Sequence, residues 1–226
     1  MELKYKIIIP ARKNSKRLRG KNLKILDGKP LIQHSIDYAI LNFKKSDIWV
    51  NSDDKNIIEL SKSLKLNFLK RPNKLSSDTT PTVDVLKFHL EYFKKNNIHC
   101  DAIVLLQPTN PIRDKNLVRR AIKIFEKSKR SSLATFSKST IKIGKIKNNF
   151  FEEINYKFGQ RSQDLRNFFE NGQLYISKNG NIGDGKIISD DVYPLITSNI
   201  GSYIDIDTMY DFLQAEYYFK NLQNEK

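Results

Sequence analysis

Short strand-like runs alternate with amphipathic stretches over the first 136 residues of the chain. Five runs are brief and end at proline or at turn-forming residues, which predicts short strands. They cover residues 7–9, 48–50, 67–70, 102–106 and 132–136. The run at 102–106 is the most apolar of these, as is typical of a central strand that is covered on both faces.

Apolar residues at helical spacing predict a helix after each of the first four strands. Pro30 suits the first turn of the first helix, whose apolar face places His34 on the opposite, exposed side. Asp53 or Asp54 is predicted to cap a helix at 55–64, and two more helices follow at 83–95 and from Asp114 to about residue 125. This alternation predicts an α/β fold with a doubly wound parallel sheet.

The alternation ends at residue 137. Residues 137–171 contain six phenylalanine or tyrosine residues without a helical period, and we interpret them as an excursion that packs on something large, such as a second subunit. Beyond it, the pattern predicts a strand at 172–176, a turn at 179–186, a short strand at 203–207 and a final helix at 208–222.

Length and cysteine content narrow the class of protein. A chain of 226 residues suits one α/β domain with a sizeable core. The single cysteine, Cys100, excludes a disulfide framework and a cysteine-based metal site. The N-terminus enters a strand almost at once, so no signal peptide is expected, and the apolar runs are too short for a membrane span. We therefore expect a cytoplasmic protein without membrane attachment.

The net charge of +15 introduces nucleic-acid binding as a second class of function. However, the lysines are spread along the whole chain rather than gathered in one stripe. We also find no aromatic-rich nucleic-acid motif and no basic recognition helix. Nucleic-acid binding is therefore ranked a distant second.

Residues 7–24, IIIPARKNSKRLRGKNLK, join an apolar strand to a loop with seven cations and no acidic residue. Such like charges repel one another, and a polyanion would relieve the repulsion. Asn14, Ser15, Gly20 and Asn22 are small, turn-forming positions where backbone amides can approach phosphate oxygens. The segment therefore predicts a phosphate-binding loop at the carboxyl edge of the sheet, although it matches neither the P-loop nor the dinucleotide fingerprint. A solvated basic loop is the alternative.

Five groups of motifs occur in the order and near the spacing of one known family. They are IIPARKNSKRLRGKNLKIL with GKPLIQHSI, RPNKLSSDTTPTVDV, VLLQPTNPIR, RSQD with NGQLYIS, and IDIDTMYDF. On these motifs, which span most of the chain, the protein resembles the acylneuraminate (CMP-sialic acid) cytidylyltransferases, relatives of the CMP-Kdo synthetases. The resemblance implies a Rossmann-like, mostly parallel α/β fold in a single nucleotidyltransferase domain over residues 1–226, and a homodimer formed through the excursion at 137–171. It also implies Mg²⁺-dependent transfer of CMP from CTP to the anomeric hydroxyl of an acidic keto-sugar.

The resemblance implies roles for individual residues as well. The residues that match nucleotide-binding positions are Arg12, Lys16, Lys21, Asn22, Arg71, Thr80 and Thr82. Those that match positions for the acceptor sugar are Gln107, Arg161 and Gln163. Asp205 and Asp207 match the carboxylate pair that binds metal, and Arg12, Lys21 and Asp207 are implied to be catalytic.

The carboxylate pair suits this chemistry. In-line attack on a phosphate is catalysed mainly by positioning and by neutralising charge, and Mg²⁺ is usually held by one or two carboxylates, phosphate oxygens and water. In a strand at 203–207, Asp205 and Asp207 would share one face. Alternatively, Asp207 merely caps the last helix, with Thr208 and Asp211 forming a capping pair.

Two departures from the family pattern leave the acceptor sugar open. Phe168-Phe169-Glu170 stands where many relatives have arginine or proline, and Arg161-Ser162-Gln163-Asp164 keeps only the first arginine of the usual Arg-Arg-Gln-Asp. We expect a nonulosonic acid of the sialic, legionaminic or pseudaminic type. The alternatives are Kdo or another eight-carbon keto-sugar, a non-catalytic sugar-nucleotide-binding subunit and, from a different class, a nucleic-acid-binding protein.

Overall fold

The computed structural model describes residues 3–222. Its strands are β1 (Tyr5–Pro10), β2 (Ile25–Leu26), β3 (Lys29–Pro30), β4 (Ile48–Ser52), β5 (Asn67–Lys70), β6 (Ala102–Leu105), β7 (Ser132–Ser139), β8 (Gly144–Lys147), β9 (Phe150–Glu153), β10 (Asn167–Lys178) and β11 (Tyr193–Ile196). Its helices are α1 (Leu31–Asn42), α2 (Lys55–Ser63), α3 (Thr82–Lys95), α4 (Leu117–Ser128), α5 (Asn179–Gly183) and α6 (Met209–Leu222).

Seven strands form the main sheet in the order β11-β7-β10-β6-β1-β4-β5. Within the described part of the chain, only β10 runs antiparallel to its neighbours in this sheet, and the other pairs are parallel. The predicted α/β fold with a mostly parallel sheet is therefore confirmed. β6 lies in the middle of the sheet, as its apolar sequence predicts.

Successive side chains of a strand point to opposite faces of the sheet, and helices pack against the apolar side chains on both faces. On β1, Ile7 and Ile9 pack into one cluster with residues of α1, α2 and α4, whereas Ile8 packs into a second cluster with residues of α3 and α5. All three isoleucines are fully buried. This arrangement confirms the doubly wound character predicted from the sequence.

A third apolar cluster joins α6 to the segment that precedes it. Ile204 and Ile206 are buried there against residues such as Leu26 and Phe212. The strand predicted at 203–207 is nevertheless wrong: a 3₁₀ turn covers Ile200–Tyr203, and the residues after it form no ladder. The segment is instead held by separate bonds, including one from the Ile206 amide to the Thr109 carbonyl at 2.8 Å.

Three other local predictions also need correction. His34 is buried rather than exposed, because its ring nitrogen Nε2 donates to the Leu26 carbonyl (2.9 Å) and the ring packs against Phe219 of α6. The turn predicted at 179–186 begins with the short helix α5. The helix predicted from Asp114 begins at Leu117, because the Asp114 carboxylate instead accepts the Asn116 amide in the preceding turn.

The excursion is a separate two-stranded hairpin, β8–β9, followed by a 3₁₀ turn at Ser162–Asp164 and by the first residues of β10. Its apolar side chains point largely into solvent: Ile146 is 80% exposed and Phe150 is 76% exposed. Among residues 3–222, no helix has both the length and the apolar character needed to cross a membrane.

His89 gives the core a measurable dependence on pH. It is fully buried on α3 beside Trp49 and Phe93, and neither ring nitrogen has a hydrogen-bond partner. Burial lowers the pKa of His89 to about 3, so the folded protein keeps this ring neutral while the unfolded chain protonates it below its ordinary value near 6.5. The unfolded state thus binds the extra proton, and stability falls as the pH falls from about 6.5 to 3.

We therefore expect wild type to lose about 2 kcal/mol of unfolding free energy between pH 7 and pH 5 that the His89→Leu variant does not lose. Urea unfolding of both proteins at the two pH values measures the difference, and every other titrating group is common to both. Equal losses in wild type and variant would show that His89 is not responsible.

Candidate active site

The loops that follow β1, β5 and β6 surround one cavity at the carboxyl edge of the sheet, where open α/β folds bind ligands. Seven of the predicted site residues line this cavity: Arg12, Lys21, Asn22, Arg71, Thr80, Thr82 and Gln107. An adjoining cavity shares Arg12, Lys21 and Asn22 and adds Lys16 and Asp207. Nine residues predicted from widely separated motifs are therefore brought together.

The basic loop places a buried ammonium group at the centre of the site. Gly20 has a φ of +64°, a backbone conformation that favours glycine, and it leads into the 3₁₀ turn Lys21–Leu23. Lys21 is only 8% exposed. Its Nζ donates to the Ile206 carbonyl at 2.7 Å and to Asp207 Oδ1 at 2.9 Å. The turn thereby ties the loop after β1 to the segment before α6.

Two carboxylates each pair with two cations of the site, which leaves an excess of positive charge there. Asp78 pairs with Arg12 and, at 2.6 Å, with Lys16. Asp207 pairs with Arg17 at 2.8 Å in addition to Lys21. Carboxylate and phosphate oxygens bind such cations in similar ways, so this arrangement is suited to receive a polyphosphate in place of the carboxylates.

Two buried polar side chains support the walls of the cavity. Asn22 is 8% exposed, and its amide donates to the Arg12 carbonyl at 2.9 Å. Arg71 is 6% exposed, and its Nε donates to Asn51 Oδ1 at 2.6 Å. Burial lowers the pKa of Arg71 to about 10, so its guanidinium remains charged near neutral pH. Arg71 lines the same cavity as Thr80 and Thr82.

Asp205 and Asp207 point away from the core because the intervening Ile204 and Ile206 point into it. Partial withdrawal of the Asp205 carboxyl from water raises its pKa against the opposing effect of a hydrogen bond with Thr109, and the neighbouring charge of Asp207 adds to the rise. Thr208 and Asp211 form the capping pair: the Asp211 carboxylate accepts the Thr208 amide at 2.7 Å, and Thr208 Oγ1 accepts the Asp211 amide at 3.3 Å. The Asp207 carboxylate is therefore not needed as a cap and is directed at the cations.

The protein offers two carboxylates, Asp205 and Asp207, rather than a complete set of ligands for a metal ion. In residues 3–222, no group of three or more His, Cys, Asp or Glu side chains is placed to hold a metal ion. Asp205 and Asp207 are close enough for their charges to interact, and both also feel the charge of Lys21. Two carboxylates suit an ion such as Mg²⁺ that takes its other ligands from phosphate oxygens and water. The residues present therefore fit the expected metal only together with a bound polyphosphate.

Gln107 lies where the cavity lined by Arg12 and Lys21 meets a neighbouring one. The second cavity shares Thr82 and Gln107 and is also lined by Glu170 and Tyr175. Arg113 fixes this junction, because its guanidinium donates to the carbonyls of Gln107 (2.6 Å) and of Gln173 (2.8 Å). Burial lowers the pKa of Arg113 to about 10, which leaves it charged at neutral pH.

Three predicted residues line none of these cavities: Asp205, which lies beside Asp207, and Arg161 and Gln163, which lie on the excursion. Arg161 and Gln163 are both exposed: Arg161 directly precedes the 3₁₀ turn Ser162–Asp164 and approaches Asp164 at 3.8 Å, and Gln163 lies within the turn. Neither lines the cavities that Arg12 and Gln107 share with the other site residues. Their assignment to the acceptor sugar stays a prediction.

Several residues of the site received no role from the sequence. Asp78 lies in a recognised motif, but only the fold brings its carboxylate to Arg12. Arg113 also lies in a motif, but spacing alone could not show that its guanidinium is buried against the carbonyls of Gln107 and Gln173. Glu170 was visible as a departure from the family pattern, whereas its contact with Tyr175 depends on an irregularity of β10.

Comparison with known proteins places the chain in a family. Residues 6–209 match the profile of the family described as Cytidylyltransferase. The chain is 31% identical to the CMP-N,N'-diacetyllegionaminic acid synthase of Legionella pneumophila, with 92% of this chain and 93% of that protein covered. It is 29% identical to the pseudaminic acid cytidylyltransferase of Campylobacter jejuni, with 96% and 97% covered.

A solved structure supports the fold. A CMP:2-keto-3-deoxy-manno-octonic acid synthetase complexed with CTP superposes with a TM-score of 0.70 over 96% of this chain and 99% of that one, at 17% identity. At this identity the likeness concerns the fold alone. The profile match, in contrast, spans most of the sequence and includes the basic loop and both aspartates of the pair. The chain therefore belongs to the cytidylyltransferase family and is a nucleotidyltransferase.

Proposed function

We propose that this enzyme transfers CMP from CTP to the anomeric hydroxyl of a nonulosonic acid and releases pyrophosphate. The observation that carries the proposal is the cavity in which Arg12, Lys21 and Arg71 converge at the carboxyl edge of the sheet. Its cations suit a triphosphate, and the relatives named above act on legionaminic and pseudaminic acids. An eight-carbon acceptor has weaker support, because the CMP-Kdo-type structure is similar in fold only.

In the proposed reaction, the anomeric oxygen attacks the α-phosphorus of CTP. A bond forms between these two atoms, the bond from the α-phosphorus to the pyrophosphate oxygen breaks, and the hydroxyl proton is released. Arg12, Lys16 and Lys21 hold the triphosphate and offset the charge that develops on it. Arg71, Thr80 and Thr82 read the cytosine, and Asn22 supports the loop near the ribose.

We infer that Mg²⁺ completes the site, held by Asp205 and Asp207. The ion supplies neutralisation of phosphate charge when it is bound. Asp207 pairs with Lys21 and Arg17 in the free protein, so triphosphate binding would take over these cations and release the carboxylate for the ion. The proposal therefore links metal binding to the presence of CTP.

We also infer that the enzyme is a homodimer formed through the excursion at 137–171. Exposed apolar side chains occur along the whole excursion, including Ile146, Phe150 and Phe158, and a second copy would cover such a patch. In such a dimer, Arg161 and Gln163 would be placed to reach the acceptor site of the partner. This role would explain why they lie outside the cavities of their own chain.

The first prediction tests the reaction itself. With Mg²⁺ and a nonulosonic acid, we expect pyrophosphate release from CTP and at least tenfold slower release from UTP, because an unpaired polar group in the base site penalises the wrong base. A coupled pyrophosphate assay with both nucleotides measures this. Equal rates with UTP and CTP would contradict the assigned role of Arg71 and Thr82.

The second prediction tests the carboxylate pair. Asp205→Asn and Asp207→Asn should each lower kcat/KM by roughly a hundredfold or more, since the metal contributes several kcal/mol to stabilising the transition state. Thermal unfolding of Asp205→Asn should change little, because Thr208 and Asp211 retain the cap of α6. Asp207→Asn should also lower the Tm, because the buried Lys21 loses its ion pair. Raised Mg²⁺ should restore part of the loss in kcat/KM.

Lys21→Ala is the matched control for this experiment. It should be equally impaired but not restored by Mg²⁺, because its role is to hold the triphosphate. Near-full activity of both aspartate variants at low Mg²⁺ would show that the pair is structural.

The third prediction concerns assembly. We expect light scattering to give twice the monomer mass at tens of micromolar protein. The double variant Ile146→Ser, Phe150→Ser should be monomeric and still folded, because both side chains are in solvent within one chain. Its Tm should fall only by what dimer formation adds to the wild type. A monomeric wild type, or a dimer that survives the double substitution, would place any interface elsewhere.

A further inference from the structure

An irregularity in β10 turns two polar side chains toward the same cavity. The pairing of β10 with β7 shifts register between Glu170 and Tyr175. Residues five apart in a regular strand point to opposite faces, whereas here Tyr175 Oη donates to Glu170 Oε1 at 2.5 Å. Such bulges redirect side chains beside active sites. The sequence between them contains Gly172, whose φ of +73° suits the bend.

Gly172 also shows how tightly the bulge is packed. A Cβ at this position would lie 2.8 Å from Asn110 Oδ1 and 3.2 Å from Gln107 Oε1. The bulge therefore lies directly against the loop that follows β6. Glu170 and Gln107 are brought to one cavity by this contact rather than by separate loops.

The cavity has one charged group on an otherwise neutral wall. Its apolar surface is provided by Leu105, Val83, Ile187 and Ile188, and among the described residues that line it, Glu170 is the only charged one. Lys87 Nζ lies close to Gly185 on the rim, but no ion pair joins it to Glu170 within the described residues. A carboxylate without a cationic partner, in a protein of net charge +15, is placed to accept hydrogen bonds from a ligand.

Tyr175 fixes the carboxylate. The phenol is 7% exposed. Burial raises its pKa, and the hydrogen bond to Glu170 raises the pKa further. The phenol therefore stays protonated and keeps donating to one oxygen of Glu170. The other lone pairs of the carboxylate remain available to a donor inside the cavity, and charge-assisted bonds of this kind are about twice as strong as neutral ones.

This cavity shares Thr82 and Gln107 with the cavity proposed to bind CTP. It would therefore receive the part of the acceptor that is remote from the anomeric carbon. The acceptor's own carboxylate is bonded to the anomeric carbon and would face the cations around CTP, away from Glu170. Resting on the function proposed above, we propose that Glu170 is a specificity-determining residue that selects acceptors with a positively charged nitrogen substituent, amino or amidino, at that remote end.

The test compares two nonulosonic acids that differ in one remote substituent, a free amino group in one and its N-acetyl derivative in the other. Wild type should use the amino acceptor with a kcat/KM about tenfold higher, because only that substituent is cationic. Glu170→Gln should lower this ratio to about one or below, with the KM for CTP unchanged. Tyr175→Phe should lower the ratio partly, because the carboxylate loses the donor that orients it.

Glu91→Gln is the charge-matched control, since Glu91 is an exposed carboxylate on α3 outside both cavities, and it should leave the ratio unchanged. A wild-type ratio near or below one, or a high ratio retained by Glu170→Gln, would overturn the assignment while leaving the cytidylyltransfer reaction intact. Failure of the proposed function would differ: wild type would release no pyrophosphate with either acceptor.

Discussion

The buried ammonium group of Lys21 is the interaction on which the rest of the site depends. A charge that is largely removed from water is stable only when it is paired and hydrogen-bonded, because its desolvation costs several kcal/mol. Lys21 meets this requirement with the Ile206 carbonyl and the Asp207 carboxylate, 185 and 186 residues away. The contact therefore fixes the first loop of the sheet to the start of the last helix. Cation and carboxylate are positioned together before any ligand arrives.

Other cations of the basic loop are also paired with carboxylates in the folded protein. The sequence suggested that repulsion among them would be relieved by a bound polyanion, but the fold already relieves part of it. Asp78 bridges Arg12 and Lys16, and Asp207 bridges Arg17 and Lys21. A triphosphate would therefore exchange one set of anions for another. Its net binding energy would be smaller than a sum over new ion pairs suggests, since each cation gives up a partner first.

Local patterns predicted the sheet and the basic loop because strand length, helical spacing and charge are local properties. The errors arose where distant packing decides. His34 is covered by Phe219, a residue of α6 whose position no pattern in α1 reveals. The predicted strand at 203–207 failed for a related reason. Its alternation of isoleucine and aspartate reflects burial against α6, not pairing in a ladder, so the direction of Asp205 and Asp207 was right although the element was wrong.

The acceptor side was the least predictable part, because its geometry depends on a β-bulge in β10 that changes which face of the sheet the side chains point to. In a regular strand, Glu170 and Tyr175 would point to opposite faces of the sheet. The bulge between them brings both side chains to the same face. One residue earlier, Phe169 packs against Tyr203 instead. The nucleotide side is fixed by buried charges that cannot change singly without leaving a partner unpaired. Glu170, by contrast, is exposed and contacts one phenol, so substitution there can alter the acceptor cavity while Lys21, Arg12 and the carboxylate pair remain in place.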